Sequence, residues 1–172
     1  MNFDKYQQLA FRTCKDMGSK EMNLIHMVLG IHSEYYELFE AIQKNDKVNV
    51  GEEIGDHFFY IAGFCTFKGW SLFGMMSDEI GHTLTLAQAT SILQDLIKKE
   101  VVYGKTIDQK DLYEILFKIA DCLVVIAHNW YISVEAVLDT NIAKLKVRYP
   151  DKYTDDKAIN RDLLSERKEL EK

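Results

Sequence analysis

The chain has 172 residues, a length suited to one domain with a buried core. Its net charge of −6 speaks against a nucleic-acid backbone as partner, which needs a basic face. A phosphate-bearing small molecule stays open, because a divalent cation reverses the local sign.

One proline and nine glycines leave few breaks, so long helices are expected. Residues 3–15 have Phe3, Tyr6, Leu9, Ala10 and Thr13 at helical spacing. After a loop around Gly18 and Ser19, a long helix is predicted over 21–44, with Leu24, Val28, Ile31, Leu38 and Ile42 as its apolar stripe. Gly30 lies one turn before Glu34, and its cost of about 1 kcal/mol against alanine asks for a packing or ligand-approach reason. Residues 45–50 read as a turn with Asn49 as N-cap, followed by a helix over 51–68 striped by Ile54, Phe58, Ile61 and Cys65. Further helices are predicted over 71–80, 86–103 and 108–129, and a last core helix runs from the cap Ser133 to Tyr149, where Pro150 stops it. The charged tail, 151–172, reads as a separate extension: a loop and then a solvated helix beyond a bundle domain of 1–150.

Two stretches organise this pattern: Glu34-Tyr35-Tyr36-Glu37 and Glu53-Ile54-Gly55-Asp56. Residues i and i+3 are neighbours on a helix surface, so each pair aims its oxygens at one spot. The 15 residues between Glu37 and Glu53 allow one helix to end and an antiparallel one to begin. Four carboxylates then converge beside the buried seam, and they repel one another unless a cation lies among them. Oxygen-only ligation of this kind suits Mg²⁺, with Mn²⁺ as the alternative, better than zinc. A faint internal repeat accompanies the site: Ile54-Gly55-Asp56 through Ala62 is similar to Ile119-Ala120-Asp121 through Ala127, with Lys118 where the first copy has Glu53.

Cys14, Cys65 and Cys122 are an odd set without metal-type spacing, which predicts free thiols. Met1-Asn2-Phe3-Asp4-Lys5 lacks signal-peptide character, and the longest apolar run, Cys122 to Ala127, is too short for a bilayer. A cytoplasmic protein without a membrane partner is the expectation.

Gly30-Ile31-His32-Ser33-Glu34 through Leu38, Glu53 through Asp56, and Asn141 through Pro150 with its Lys144, Arg148 and Tyr149 together resemble the MazG-like nucleotide pyrophosphohydrolases. Tyr6 through Thr13, Leu24 through His26 and Asn160-Arg161-Asp162 add to the resemblance, which covers roughly residues 3–65 and 119–162. Tyr35 and Tyr36 depart from the small residues usual between the first two glutamates, and residues 66–118 are extra relative to compact members. The resemblance implies an all-α antiparallel bundle and Mg²⁺-dependent cleavage of a nucleoside triphosphate to the monophosphate and pyrophosphate. It makes Glu34, Glu37, Glu53 and Asp56 metal ligands and brings Lys144 and Arg148 to the phosphates, with Asn141 and Tyr149 supporting them. Glu34 or Glu37 is then the candidate to orient or deprotonate water. His26 is a candidate for the nucleobase pocket, with a core or capping role as the alternative. A homo-oligomer, dimer or higher, is expected from the same resemblance.

Blander and rival readings accompany these. His57, Trp70, Trp130 and Met75-Met76 suit the core better than a ligand site. Glu79-Ile80-Gly81-His82 is a Glu-x-x-His unit of the kind di-iron bundles use in pairs, and it stands alone. A dUTP- or dCTP-directed hydrolase of the same superfamily, and a bundle that binds metal or nucleotide without turnover, are the alternatives to a general triphosphate pyrophosphohydrolase.

Overall fold

The computed structural model describes residues 1–77 and 84–171, and among these every regular element is an α-helix. The helices are α1 (Phe3–Phe11), α2 (Lys20–Gln43), α3 (Lys47–Lys68), α4 (Leu72–Met76), α5 (Leu86–Val101), α6 (Gln109–Asn129), α7 (Val134–Arg148), α8 (Asp155–Ile159) and α9 (Leu163–Leu170). Two helical hairpins, α2–α3 and α5–α6, make the bundle: α2 packs on α3 and α5, and α6 packs on α5 and α3. The two copies of the faint repeat fall on α3 and α6, the second helix of each hairpin. Helices α1 and α7 pack on α3 and on each other, and α9 lies against α7 and α3.

The apolar stripes read from the sequence form the core. Ile31 and Leu38 of α2, Ile54, Phe58 and Ile61 of α3, Leu93 of α5 and Leu116, Ile119 and Leu123 of α6 are all buried. Cys65 is buried among them, Trp70 packs beside Phe64 and Tyr113, and Met75 is enclosed. Cys14, Cys65 and Cys122 are free thiols. No single described helix is long and apolar enough to cross a membrane.

Helix boundaries differ from expectation where side chains intervene. Helix α1 ends at Phe11, not near 15, because the chain turns there and the Thr13 hydroxyl donates back to the Ala10 carbonyl at 2.8 Å. Helix α3 begins at Lys47, and its N-cap is Asp46, whose carboxylate accepts from the Asn49 N–H at 3.1 Å. Asn45, at φ 53, turns the chain in the left-handed region that asparagine tolerates, so the α2–α3 turn needs only three residues and Asn49 lies inside the helix. Helix α4 covers the start of the predicted 71–80 helix. Ser77 is its C-cap, and residues 78–80 of the predicted helix, with the Glu79–His82 unit, lie outside the described residues.

Gly30 has a packing explanation. A Cβ there would lie 2.2–2.4 Å from three ring atoms of Tyr60, so the absent side chain is what lets α3 seat its tyrosine against α2. Gly55 does the same between α3 and α7, where a Cβ would come within 3.0 Å of the Asn141 side chain. The first contact sets the spacing of the two helices that carry the acidic pairs, and the second sets α7 against α3.

Candidate active site

Glu34 and Glu37 project from α2 and Glu53 from α3, and one oxygen of each lies within 4.8 Å of the others. Glu34 and Glu53 are buried and Glu37 is exposed at the mouth. This placement follows from the i, i+3 spacing on α2 and the tight antiparallel turn, which brings the start of α3 alongside the end of α2.

Asp56, one turn along α3, is drawn elsewhere. Its Oδ1 accepts from Lys144 Nζ at 2.6 Å and from Asn141 Nδ2 at 2.7 Å, and its Oδ2 lies 2.5 Å from the same ammonium. Lys144 also meets Glu52 Oε1 at 3.3 Å. The Lys144 side chain is fully enclosed, at 0% exposure. It therefore departs from the expected phosphate contact: its charge is spent on two carboxylates, and it does not line the cleft. Asn141 is likewise a holder of Asp56. Its Oδ1 accepts from the Tyr6 hydroxyl at 2.8 Å, and that hydroxyl also reaches the Gly55 carbonyl at 3.1 Å. A buried phenol on α1 thus ties α7 to the acidic turn of α3.

A cleft of about 340 Å³ opens over these groups. It is lined by an acidic group, which we call its floor, of Glu34, Glu37, Glu52, Glu53 and Asp56, and by the cations Lys15, Arg148 and Arg161, its cationic wall. The carboxylates crowded at this cleft oppose entry of a phosphate chain unless a cation comes with it. His26, Tyr60, Tyr149 and Tyr153 line the same space, while Tyr35 and Tyr36 do not. Tyr36 is turned outward and bonds Glu40 at 3.0 Å.

The cationic wall is held by the tail. Arg148, at the end of α7, makes a two-point pair with Glu166 of α9: Nε to Oε1 at 3.0 Å and Nη2 to Oε2 at 2.5 Å. Arg161, in the α8–α9 connection, donates to the same Oε2 at 2.8 Å. The Arg12 guanidinium donates to the carbonyls of Tyr149, Pro150 and Asp151, and Lys15 pairs with Asp155, so the chain leaving α7 is fastened back to α1 and the loop after it.

Electrostatics follow from burial and crowding. Burial, then the charge of Asp56, pushes the Glu34 and Glu53 carboxyls up, and the two share a hydrogen bond. In the metal-free protein the pair thus retains a proton that a cation would displace. His57 is fully buried, its Nδ1 2.8 Å from the Glu53 carbonyl, and burial pushes it down to about 4, so it is a neutral core residue. His26 stands edge-on to Tyr60 at 6.0 Å between ring centroids. Burial, then Lys15, lowers its pKa, and its Nδ1 is buried with no hydrogen-bond partner.

In the comparison with family models, residues 23–77 match the MazG nucleotide pyrophosphohydrolase domain. That segment holds His26 and all four predicted ligands, Glu34, Glu37, Glu53 and Asp56. Asn141, Lys144, Arg148 and Tyr149 lie beyond it. No curated protein and no solved structure shows a significant match to the chain. Sequence reasoning missed Glu52, Tyr6 and Glu166. Glu52 stands directly before the second acidic pair, which was the signal available for it.

Proposed function

We propose that the protein is a divalent-cation-dependent nucleoside triphosphate pyrophosphohydrolase, cutting between the α and β phosphates to release the monophosphate and pyrophosphate. The observation that carries this reading is the convergence of Glu34, Glu37 and Glu53 within 4.8 Å in a cleft that Arg148 also lines. The donor set fits Mg²⁺, with Mn²⁺ as a substitute: all ligands are hard carboxylate oxygens, and two of them are crowded enough to hold a proton in place of a cation. Glu34, Glu37 and Glu53 would hold the ion, with Asp56 available at the edge, oriented by Lys144 and Asn141 as outer partners commonly orient ligands. The cation would supply charge neutralisation on the phosphates and a lower pKa for water.

The chain's own groups account for the remainder. Glu37, exposed at the mouth, has the readiest access to water and accepts its proton as the oxygen attacks the α phosphorus. The bond to the bridging oxygen breaks, and pyrophosphate leaves against the charge of Arg148. His26 and Tyr60 offer an edge and a face to the nucleobase. A homo-oligomer in a cytoplasmic setting belongs to the same proposal, and a monomeric mass by light scattering would remove the first part.

The test is incubation with each common NTP and dNTP, and with dUTP, in Mg²⁺ or Mn²⁺, the products being resolved by chromatography. Monophosphate and pyrophosphate that disappear in Glu53→Gln are expected. Diphosphate and orthophosphate would break the reading, and a strict preference for dUTP or dCTP would narrow it. Metal binding without turnover on any nucleotide would leave a binding module.

A further inference from the structure

Two arginines share one buried carboxylate at the cleft wall. Glu166 is 3% exposed at its side chain, whereas Arg148 and Arg161 are 16% and 37% exposed and both line the cleft. One carboxylate cannot neutralise two guanidiniums, so the triad has a net positive charge, and its accessible members line the same cleft as the carboxylates. A triad serving stability alone gains nothing from leaving its cationic members at a cleft. Arg161 contributes Nη2 to Glu166, and a guanidinium carries five N–H donors in a planar fork that matches phosphate oxygens. Lys144, the other cation near the floor, is consumed by Asp56 and Glu52. Lys15, the third cation on the wall, is paired with Asp155.

We propose that Arg161 is a substrate-binding residue: with Arg148 it forms a two-guanidinium clamp on the phosphate chain, and Glu166 is the positioning residue that holds both heads at the cleft. The inference rests on the reading of the cleft as a triphosphate site. It gives the tail a part in substrate binding, with α9 supplying the holder and the α8–α9 connection supplying a ligand. Glu166 reaches the phosphates only through the arginines.

The experiment titrates inorganic pyrophosphate, in the presence of Mg²⁺, into the full chain and into Arg161→Ala and Arg161→Gln by calorimetry, with KM and kcat for a cleaved triphosphate measured in parallel. Loss of a charge-assisted contact weakens pyrophosphate binding and raises KM by about tenfold to a hundredfold, with binding of Mg²⁺ alone unchanged. Arg161→Gln keeps a side chain beside Glu166, so it reports on the clamp if the alanine variant is poorly folded. Glu166→Gln weakens pyrophosphate binding too, and by less in the Arg161→Ala background, where only Arg148 is left for it to hold. Unchanged pyrophosphate affinity in a folded Arg161 variant overturns the proposal, as does a native protein that binds no pyrophosphate. Fully independent effects of the two substitutions overturn the role given to Glu166. Pyrophosphate binding that depends on Arg161, in a protein that cleaves no nucleotide, would sustain the clamp while removing the catalytic reading.

Discussion

Replacement of Lys144 by methionine removes a charge from a fully buried position between two carboxylates. The ammonium is 0% exposed and lies 2.5–2.6 Å from both oxygens of Asp56 and 3.3 Å from Glu52. Methionine keeps the length of the chain, so the packing loss is small and the effect is electrostatic. Breaking a buried pair by deleting one partner costs roughly 3–5 kcal/mol. Asp56 and Glu52 remain 25% and 19% exposed, so water reaches them once the lysine is gone and the figure shrinks to about 3 kcal/mol. For a chain of this size that is a fall of roughly 6–12 °C in melting temperature, measured by circular dichroism in EDTA. Lys144→Met with Asp56→Asn then restores part of the loss, with a coupling of at least about 1 kcal/mol. A Lys144→Met protein within 2 °C of native, or strict additivity in the double variant, would refute the assignment of Lys144 to Asp56.

Three further outcomes are expected. In metal-free protein, stability falls as pH rises through neutrality, because Glu34 and Glu53 hold in the fold a proton that the unfolded chain has already released. His57 has the opposite sign and acts only below its ordinary range, since the fold refuses a proton that the unfolded chain accepts. Melting curves in EDTA should therefore decline from pH 7 to 9 and flatten in Glu53→Gln; the same slope in both proteins would contradict this. Gly30→Ala forces a Cβ into the Tyr60 ring and should cost about 1–3 kcal/mol in urea unfolding, relieved when Tyr60 is shortened to alanine in the same chain. Burial pushes the Cys14 and Cys65 thiols up to about 12, so a disulfide reagent at pH 8 should modify Cys122 first and the other two only on unfolding.

The acidic floor was legible because it is local. Glu34 and Glu37 need only a helix to become neighbours, and Glu53 needs only a short turn. Periodicity likewise gave the helices and their buried stripes, since the 3.6-residue repeat of Ile54, Phe58 and Ile61 has one reading. The partners of the floor were less legible. Lys144 and Arg148 stand on one α7 face by spacing, yet the first turns inward to Asp56, 88 residues away in sequence, and nothing local to α7 signals that pairing. The cap went to Asp46 and not to Asn49 because a left-handed Asn45 turned the chain early, a backbone choice that several residues in that stretch would have allowed. Helix α9 is the clearest failure of pattern. Its Leu163 and Leu164 are 62% and 79% exposed while Glu166 is buried, so its amphipathicity runs opposite to the rule and reads as a solvated segment.

The two walls of the cleft also differ in when they can exist. Glu34, Glu37 and Glu53 are assembled by one helical hairpin, whose ends meet through a three-residue turn and so close quickly and cheaply. The guanidinium wall needs α7 docked on α3 across some ninety residues, and then α9 folded back on α7. A chain still emerging, or one cleaved after Pro150, carries its carboxylates without the arrangement that would hold a phosphate chain against them. On the proposed reading, competence toward substrate then waits on the segment after Pro150, because Glu166 of α9 is what holds Arg148 in place.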